Sequence, residues 1–578
     1  MPAQSRMLYR AVIFSAALIL FSSASFIMPA RTGATSPAAT FNRDVAPILY
    51  GHCVKCHREG EIAARVPLTS YDSAKPFAEK MKEMVVTRRM PPWPADPAHS
   101  LKFRNDARLS QSDIDKIDSW VSGGAAKGDD ADLPPFPKLE DGWMHPQGRK
   151  PDLVVSLPGL VHLPPAGSIP YARWLVKVPF AEDKWVVASQ TRPGNAAVVH
   201  HMAITEIALN EGTTAQEVEQ LAGVAKQLGA PNALVGAHPA VQSPGTAAGF
   251  DMLGMYAPGT TFEAYGADTA KLLKGGKNMF LNFNMHYQTT GKPETDKSML
   301  ALWFEAKPPR YELFRVPTPA ETIIANGTEL MSDKPGVKAE GTDVVIPPIP
   351  PNAARYELTG IMGITAPLTI YQFQPHAHHR AVDFRYSVVY PDGHEQTLLS
   401  VPKYDHRWQM AYELETQLKL PAGSKLIVTA HYDNSSKNMH NPDPEKAVYF
   451  RDQNQSWDEM FSPFIQFAIE RPAGESKRKE SAVVAVVGCL EPDGKDGWSV
   501  RNAEQSVSKA QSTTAAEIDA AKAKPPGKLN VQLLGVEVFN PSNLRGQRVA
   551  AKGILIDAEK LTRVNVTSLQ SLGASCAR

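Results

Sequence analysis

Cysteine is scarce in this chain, with four in 578 residues. That excludes a small secreted fold held by a framework of disulfides. Charge of one sign is missing too: 61 Lys and Arg stand against 60 Asp and Glu, a net +1. Nothing therefore points to nucleic acid or an anionic membrane surface as a partner. Past the N-terminus there is no apolar run of about 18 residues, so no further membrane span is expected. No cysteine lies near the end of the N-terminal apolar run, which argues against a lipid anchor. Proline, by contrast, is abundant at 48 residues, which disfavours long helices and favours short strands and turns. At roughly 100–200 residues per domain the length suggests three to five domains. A hydrophobic fraction of 43% and a charged fraction of 21% are ordinary for globular protein.

Arg6 and Arg10 precede an apolar stretch, Ala11 to Ile27, and small residues follow at Ala30 and Ala34. A basic start, an apolar middle and a small-residue exit mark residues 1–34 as a secretory signal, or as a membrane anchor if it stays uncleaved. The expected location is periplasmic or secreted, with membrane attachment only in the uncleaved case. Residues 38–132 look helical. Ser110 opens a capping box, Ile114, Ile117, Trp120 and Val121 recur at helical spacing, and Gly123-Gly124 stops the helix. Residues 133–151 are a proline-rich linker. Short β-branched and aromatic runs separated by turn residues follow, such as RWLVKVPF, KLIVTAHY and FRYSVVYP. They predict two β-sandwiches, 152–308 and 309–472, with a boundary near Lys307–Tyr311. Residues 478–578 read as a small β-barrel with a flexible Ala/Ser/Thr-rich insert at 503–526. The predicted fold class is multidomain and mainly β, with one small α-helical domain in front. Cys489 and Cys576 flank the last unit and in an oxidising compartment could pair; two unpaired thiols are the alternative.

Cys53-Val54-Lys55-Cys56-His57 is Cys-x-x-Cys-His. Two thiols at this spacing can add to the vinyl groups of haem while the histidine reaches the iron, giving one covalently attached haem c. A zinc site would want a second cysteine pair nearby, and the other cysteines lie more than four hundred residues away. Met90, in the stiff stretch Arg-Met-Pro-Pro-Trp, is the expected second axial ligand. Met81 and Met84 look instead like core positions of the helix KPFAEKMKEMVV.

On the β text stand His200-His201, His286, His376-Ala377-His378 and Met460. On a strand, i and i+2 share a face, so His376 and His378 can reach one metal. Adjacent His200 and His201 normally face opposite ways, and both can ligate only if the strand is bulged there. Taken singly, His286 is more often a hydrogen-bonded core or edge residue and Met460 an ordinary core methionine. His379, His406, His431 and His440 are read as surface or supporting residues.

The ordered set His200-His201-Met202, His286-Tyr287, His376-Ala377-His378-His379 and Glu459-Met460 resembles the peptidylglycine/dopamine family of copper monooxygenases. Arg192-Pro193 and Tyr432-Asp433-Asn434 agree as flanking text. The stretch around TFNRDVAPILYGHCVKCH and RRMPPW resembles cytochrome c domains fused to exported bacterial enzymes. The last unit resembles small oligonucleotide/oligosaccharide-binding-like barrels. These resemblances imply jelly-roll-like sandwiches and two copper ions. His200, His201 and His286 would serve electron transfer; His376, His378 and Met460 would be the catalytic site. The implied function is copper-dependent hydroxylation of a C–H bond with dioxygen, with electrons supplied through the haem domain. Implied partners are dioxygen, a small organic or peptide-like substrate and an extracytoplasmic electron donor. The alternative is a non-catalytic haem and copper electron-transfer or copper-binding protein. The animal enzymes hold these domains with several disulfides, and here no cysteine is left for that role.

Overall fold

A computed structural model describes residues 38–139, 142–209, 233–234, 241–242, 251–258, 262–317, 321–336, 338–339, 342, 344–451, 457–472, 480–494, 497–556 and 562–576. The stretch expected to be a signal, 1–34, lies outside the described residues. The protein is mainly β, with 41% strand and 12% helix. No helix among the described residues is long and apolar enough to cross a membrane.

The helical part forms as the sequence predicts. Ser110 caps Gln111–Ser122 by accepting from Asp113 N at 3.1 Å, and Gly123 ends the helix. Its apolar stripe, Ile114, Ile117, Trp120 and Val121, packs with Phe41, Leu49, Met81 and Val85 in one core. The segment after Met90 does not stay with this core. Trp93 sets its ring 5.0 Å from that of Tyr412, Phe103 bridges to Leu414, and Arg104 binds Glu413 at 2.6 Å. This arm covers the edge strand Tyr412–Leu420, whose backbone groups would otherwise be open to another chain.

Two apolar cores follow, one built on Trp174, Ile204, Phe283 and Leu302, the other on Phe373, Phe384, Tyr386 and Val428. They were expected to be separate sandwiches, but a single sheet runs through both. Thr269–Leu273 pairs in parallel with Tyr311–Pro317, through Thr269↔Tyr311 and Ala270↔Glu312. That joins Lys184–Arg192 and its neighbours to Phe464–Glu470 and Leu368–Gln374 in one nine-stranded order. The turn near Lys307–Tyr311 is thus a corner in a continuous sheet, not a free boundary. Buried charges reinforce it: Arg315 binds Glu263 at 2.7 Å and Gln372 at 3.1 Å, and Lys271 binds Asp251.

In the second half, His431 lies opposite Glu357 on one neighbouring strand and Asp383 on the other. Its ring nitrogens meet Asp383 at 2.6 Å and Glu357 at 3.0 Å. These hydrogen bonds raise its pKa to about 9, against partial burial and the nearby Arg355. A raised folded-state pKa means the contribution is full below the ordinary histidine value of about 6.5 and is lost as pH rises through about 9. Urea unfolding at pH 7 and pH 10 should show the wild type losing about 2 kcal/mol more than His431→Asn, after allowing for the solvent-facing carboxylates.

The C-terminal strands close into a five-stranded barrel. Cys489 and Cys576 form a disulfide, with Cα atoms 5.9 Å apart. The stretch expected to be a flexible insert is built into the barrel instead. Gln511 and Thr513 are buried, and Ala515–Lys522 is a helix with a full Thr514/Glu517 capping box. Ile518 and Ala521 pack on Val487 and Leu572. The barrel is docked firmly. Buried Asn565 donates to Val389 O and Gly423 O, both at 3.0 Å, and buried Lys425 donates to Val566 O at 2.7 Å and to Gly535 O.

Candidate metal centres

Strand alternation sets the first centre. Along Met279–Tyr287, Leu281, Phe283 and Met285 point into the core, which turns Asn284 and His286 to the opposite face. Val199–Leu209 is paired to it with His201 directly across from His286. The register then slips, so that Tyr287 meets Val199 and His200 is the extra residue. That is the bulge which two adjacent histidines require to face one ion.

The outcome is a trio whose ligand atoms all lie within 4.8 Å of one another. Ring centroids are 5.3 Å (His200–His201), 4.9 Å (His200–His286) and 4.9 Å (His201–His286) apart. His200 Nδ1 and His201 Nδ1 face each other at 3.1 Å, and His286 Nδ1 is buried without a hydrogen-bond partner. A buried ring nitrogen without a partner is unfavourable unless a cation sits beside it. Burial holds all three rings neutral, with His200 at about 4 and the other two well below the usual value. Neutral imidazole is the form that ligates a metal.

The second group is not on a strand as expected. Leu368–Gln374 ends at Pro375, which has no N–H to give a ladder, and His376 to His379 follow as a loop. Glu459 shapes that loop. Its buried carboxylate accepts from the backbone N–H of His378 at 2.9 Å, Arg380 at 2.6 Å and Met460 at 3.2 Å. One side chain thus ties the histidine loop to the methionine segment. Burial pushes its carboxyl up to about 7, against the pull of those N–H groups. Tyr432 donates to Met460 O at 2.7 Å and fixes the methionine from behind. His376 Nδ1 is buried without a partner. His378 Nδ1 binds Asp458 O at 2.9 Å, so it carries the proton and leaves Nε2 as the ligating atom. Burial lowers both rings to about 3.

The two groups are not spread apart. His201 and His376 rings lie 5.2 Å apart. Together with Tyr171, Met252, Asn284, Met460 and Phe464 they line a cavity of about 30 Å³, space for one or two water-sized molecules. Tyr171 was not singled out in the sequence. Its hydroxyl meets His378 Nε2 at 3.0 Å while its ring packs on His286 at 4.2 Å, so it touches both groups. A metal at His378 Nε2 would take the place of that hydrogen bond.

The chain matches no known protein-family model and no curated protein.

At the Cys-x-x-Cys-His motif, a helical turn brings Cys56 N to Cys53 O at 3.1 Å and His57 N to Cys53 O at 2.9 Å. His57 Nδ1 donates to Val66 O at 2.9 Å, which leaves Nε2 open as a ligand. Burial raises the Cys53 thiol to about 12 and raises Cys56 as well, unlike the lowered thiols of redox pairs. The motif also sits beside the first centre's sheet, where Arg65 donates to Thr290 O. Met90 is half-buried and lines a cavity of about 320 Å³ with Val85, Trp93 and Leu109; none of Cys53, Cys56 and His57 lines that cavity.

Proposed function

We propose that the protein is an exported copper-dependent monooxygenase that hydroxylates a C–H bond with dioxygen, with electrons entering through a c-type haem held by Cys53, Cys56 and His57. The observation that carries this reading is the meeting of two histidine groups, named from their order in the sequence, at one buried place with two orphaned ring nitrogens. Bound copper supplies one-electron redox chemistry and a site for dioxygen reduction, and bound haem a one-electron relay. His200, His201 and His286 offer three imidazoles, which suit an ion that changes oxidation state. His376, His378 and Met460 offer a softer set that favours Cu(I). Asp458 O holds the His378 tautomer, and burial of His201, His376, His378 and Met460 shields those ligands from bulk water. In this proposal the helical unit is a cytochrome c domain, the two β halves are jelly-roll-like, and the barrel is of the oligonucleotide/oligosaccharide-binding type. The disulfide suits an oxidising compartment.

The small cavity favours a second reading, a non-catalytic haem and copper electron-transfer protein, because it has no room for an organic substrate. Met460→Leu separates the two. Under the monooxygenase reading, the purified variant should keep its haem absorbance, hold one copper per chain in place of two, and lose reductant-driven oxygen uptake. Unchanged copper content and oxygen uptake would falsify the Met460 assignment. Absence of oxygen uptake in a wild type carrying both coppers would leave the electron-transfer reading standing.

A further inference from the structure

The histidines read from the sequence as surface or supporting residues are not scattered. His379 and His406 rings lie 4.3 Å apart, and His406 and His440 rings 5.2 Å. Ring spacings in the first trio are 4.9 to 5.3 Å, so the second cluster brings its imidazoles comparably close. Three separate segments bring it together. Asn438 accepts from His440 N at 3.0 Å and donates to His379 O at 3.1 Å, which fastens two of them. Tyr404, two residues before His406, bonds both Ala377 N and Ala377 O at 3.0 Å, which fastens the third to the loop carrying His379.

The cluster adjoins the loop of the second group, on its solvent side. All three rings are half-buried, and Met439, next to His440 in the chain, is 85% exposed. At the inner end, His379 directly follows His378 on the loop of the second group, and Tyr171 links His378 to His286. The ligand atoms of His379, His406 and His440 do not all fall within the 4.8 Å that the trio satisfies. A more open set binds an ion less tightly, which is what a position that hands the ion on requires.

We propose that His379, His406 and His440 form a further copper-binding site, a staging position from which the ion passes to His378 and the second group. Imidazole and thioether are ligands for Cu(I). Transfer is ligand exchange without change of oxidation state, so it needs no co-reactant. The proposal rests on the copper reading for its destination.

The test uses the metal-free full-length protein titrated anaerobically with Cu(I) alone. The wild type should hold a third, weaker equivalent beyond two tight ones. In His406→Ala/His440→Ala the third equivalent should vanish and filling of the tight sites should slow at least about tenfold. His440→Asn alone should show the same slowing if the double variant does not fold. Filling at the wild-type rate overturns the staging role, and a wild type that stops at two equivalents overturns the site. A wild type that holds no copper overturns the monooxygenase reading as well, so the two failures are distinguishable.

Discussion

Glu459→Ala is expected to abolish metal binding at His376, His378 and Met460 while leaving the trio of His200, His201 and His286 able to hold its ion. The carboxylate is the shared acceptor for three backbone N–H groups, those of His378, Arg380 and Met460, and it is fully buried. Alanine supplies no acceptor. Each buried donor left without a partner costs about 1–3 kcal/mol, so the metal-free protein should lose at least about 3 kcal/mol of unfolding free energy. The loop of His376 to His379 has no strand ladder to fall back on, so most of that loss should appear as disorder of the loop. Removal of a group that orients metal ligands typically costs about 10–100-fold in affinity. Copper analysis after desalting should read one equivalent per chain. Glu459→Gln keeps one acceptor oxygen and turns an amide N–H₂ toward a donor, so it should fall between alanine and wild type. Two tight equivalents in Glu459→Ala would show that the loop is shaped by something else.

What the sequence made legible was local. The Ser110 cap, the Gly123 stop and the apolar stripe between them are properties of a few neighbouring residues, and the helix formed as expected. A bulge at His200 follows from strand alternation, since two adjacent ligands cannot share a face without one. The strand geometry expected for His376 and His378 failed for a reason already visible in the text: Pro375 stands at their N-terminal side and ends the ladder. The flexible insert was misjudged likewise, because Thr514 and Glu517 are a capping box hidden in Ala/Ser/Thr-rich text. Tyr171 and the Glu459 clamp could not be read this way. Tyr171 meets His378 across 207 residues and Glu459 meets Arg380 across 79, and no short-range pattern encodes either contact. The same holds for the sheet that crosses the two halves, which depends on a parallel pairing of only two registered residue pairs.

That crossing is where the second large effect is expected, in Arg315→Met. Two backbone pairings are few to hold two sandwiches at a fixed angle, and the buried charges around them supply the rest. Arg315 binds Glu263 and Gln372 through its guanidinium, and its own N–H donates to Asp251 Oδ1 at 2.8 Å, the carboxylate that also holds Lys271. The Arg315 and Glu263 side chains are 2% and 9% exposed. Breaking a buried pair from one side strands the other charge and costs about 3–5 kcal/mol. Methionine fills the space of the stem, so the loss comes from the stranded Glu263 and not from a cavity. Arg315→Met/Glu263→Gln removes both charges and should recover a large part of the stability, because exchange of a whole buried pair for neutral groups is often close to neutral. Denaturant unfolding followed by two probes, one in each half, checks both statements. The single variant should unfold in two steps where the wild type shows one, and the double variant should return toward one. The same junction sets the 5.2 Å approach of His201 to His376, since these rings come from opposite halves. A cost under about 1 kcal/mol for the single variant, with one transition retained, would mean that the halves are held by contacts other than these charges, and that the buried charges are incidental to the meeting of the two centres.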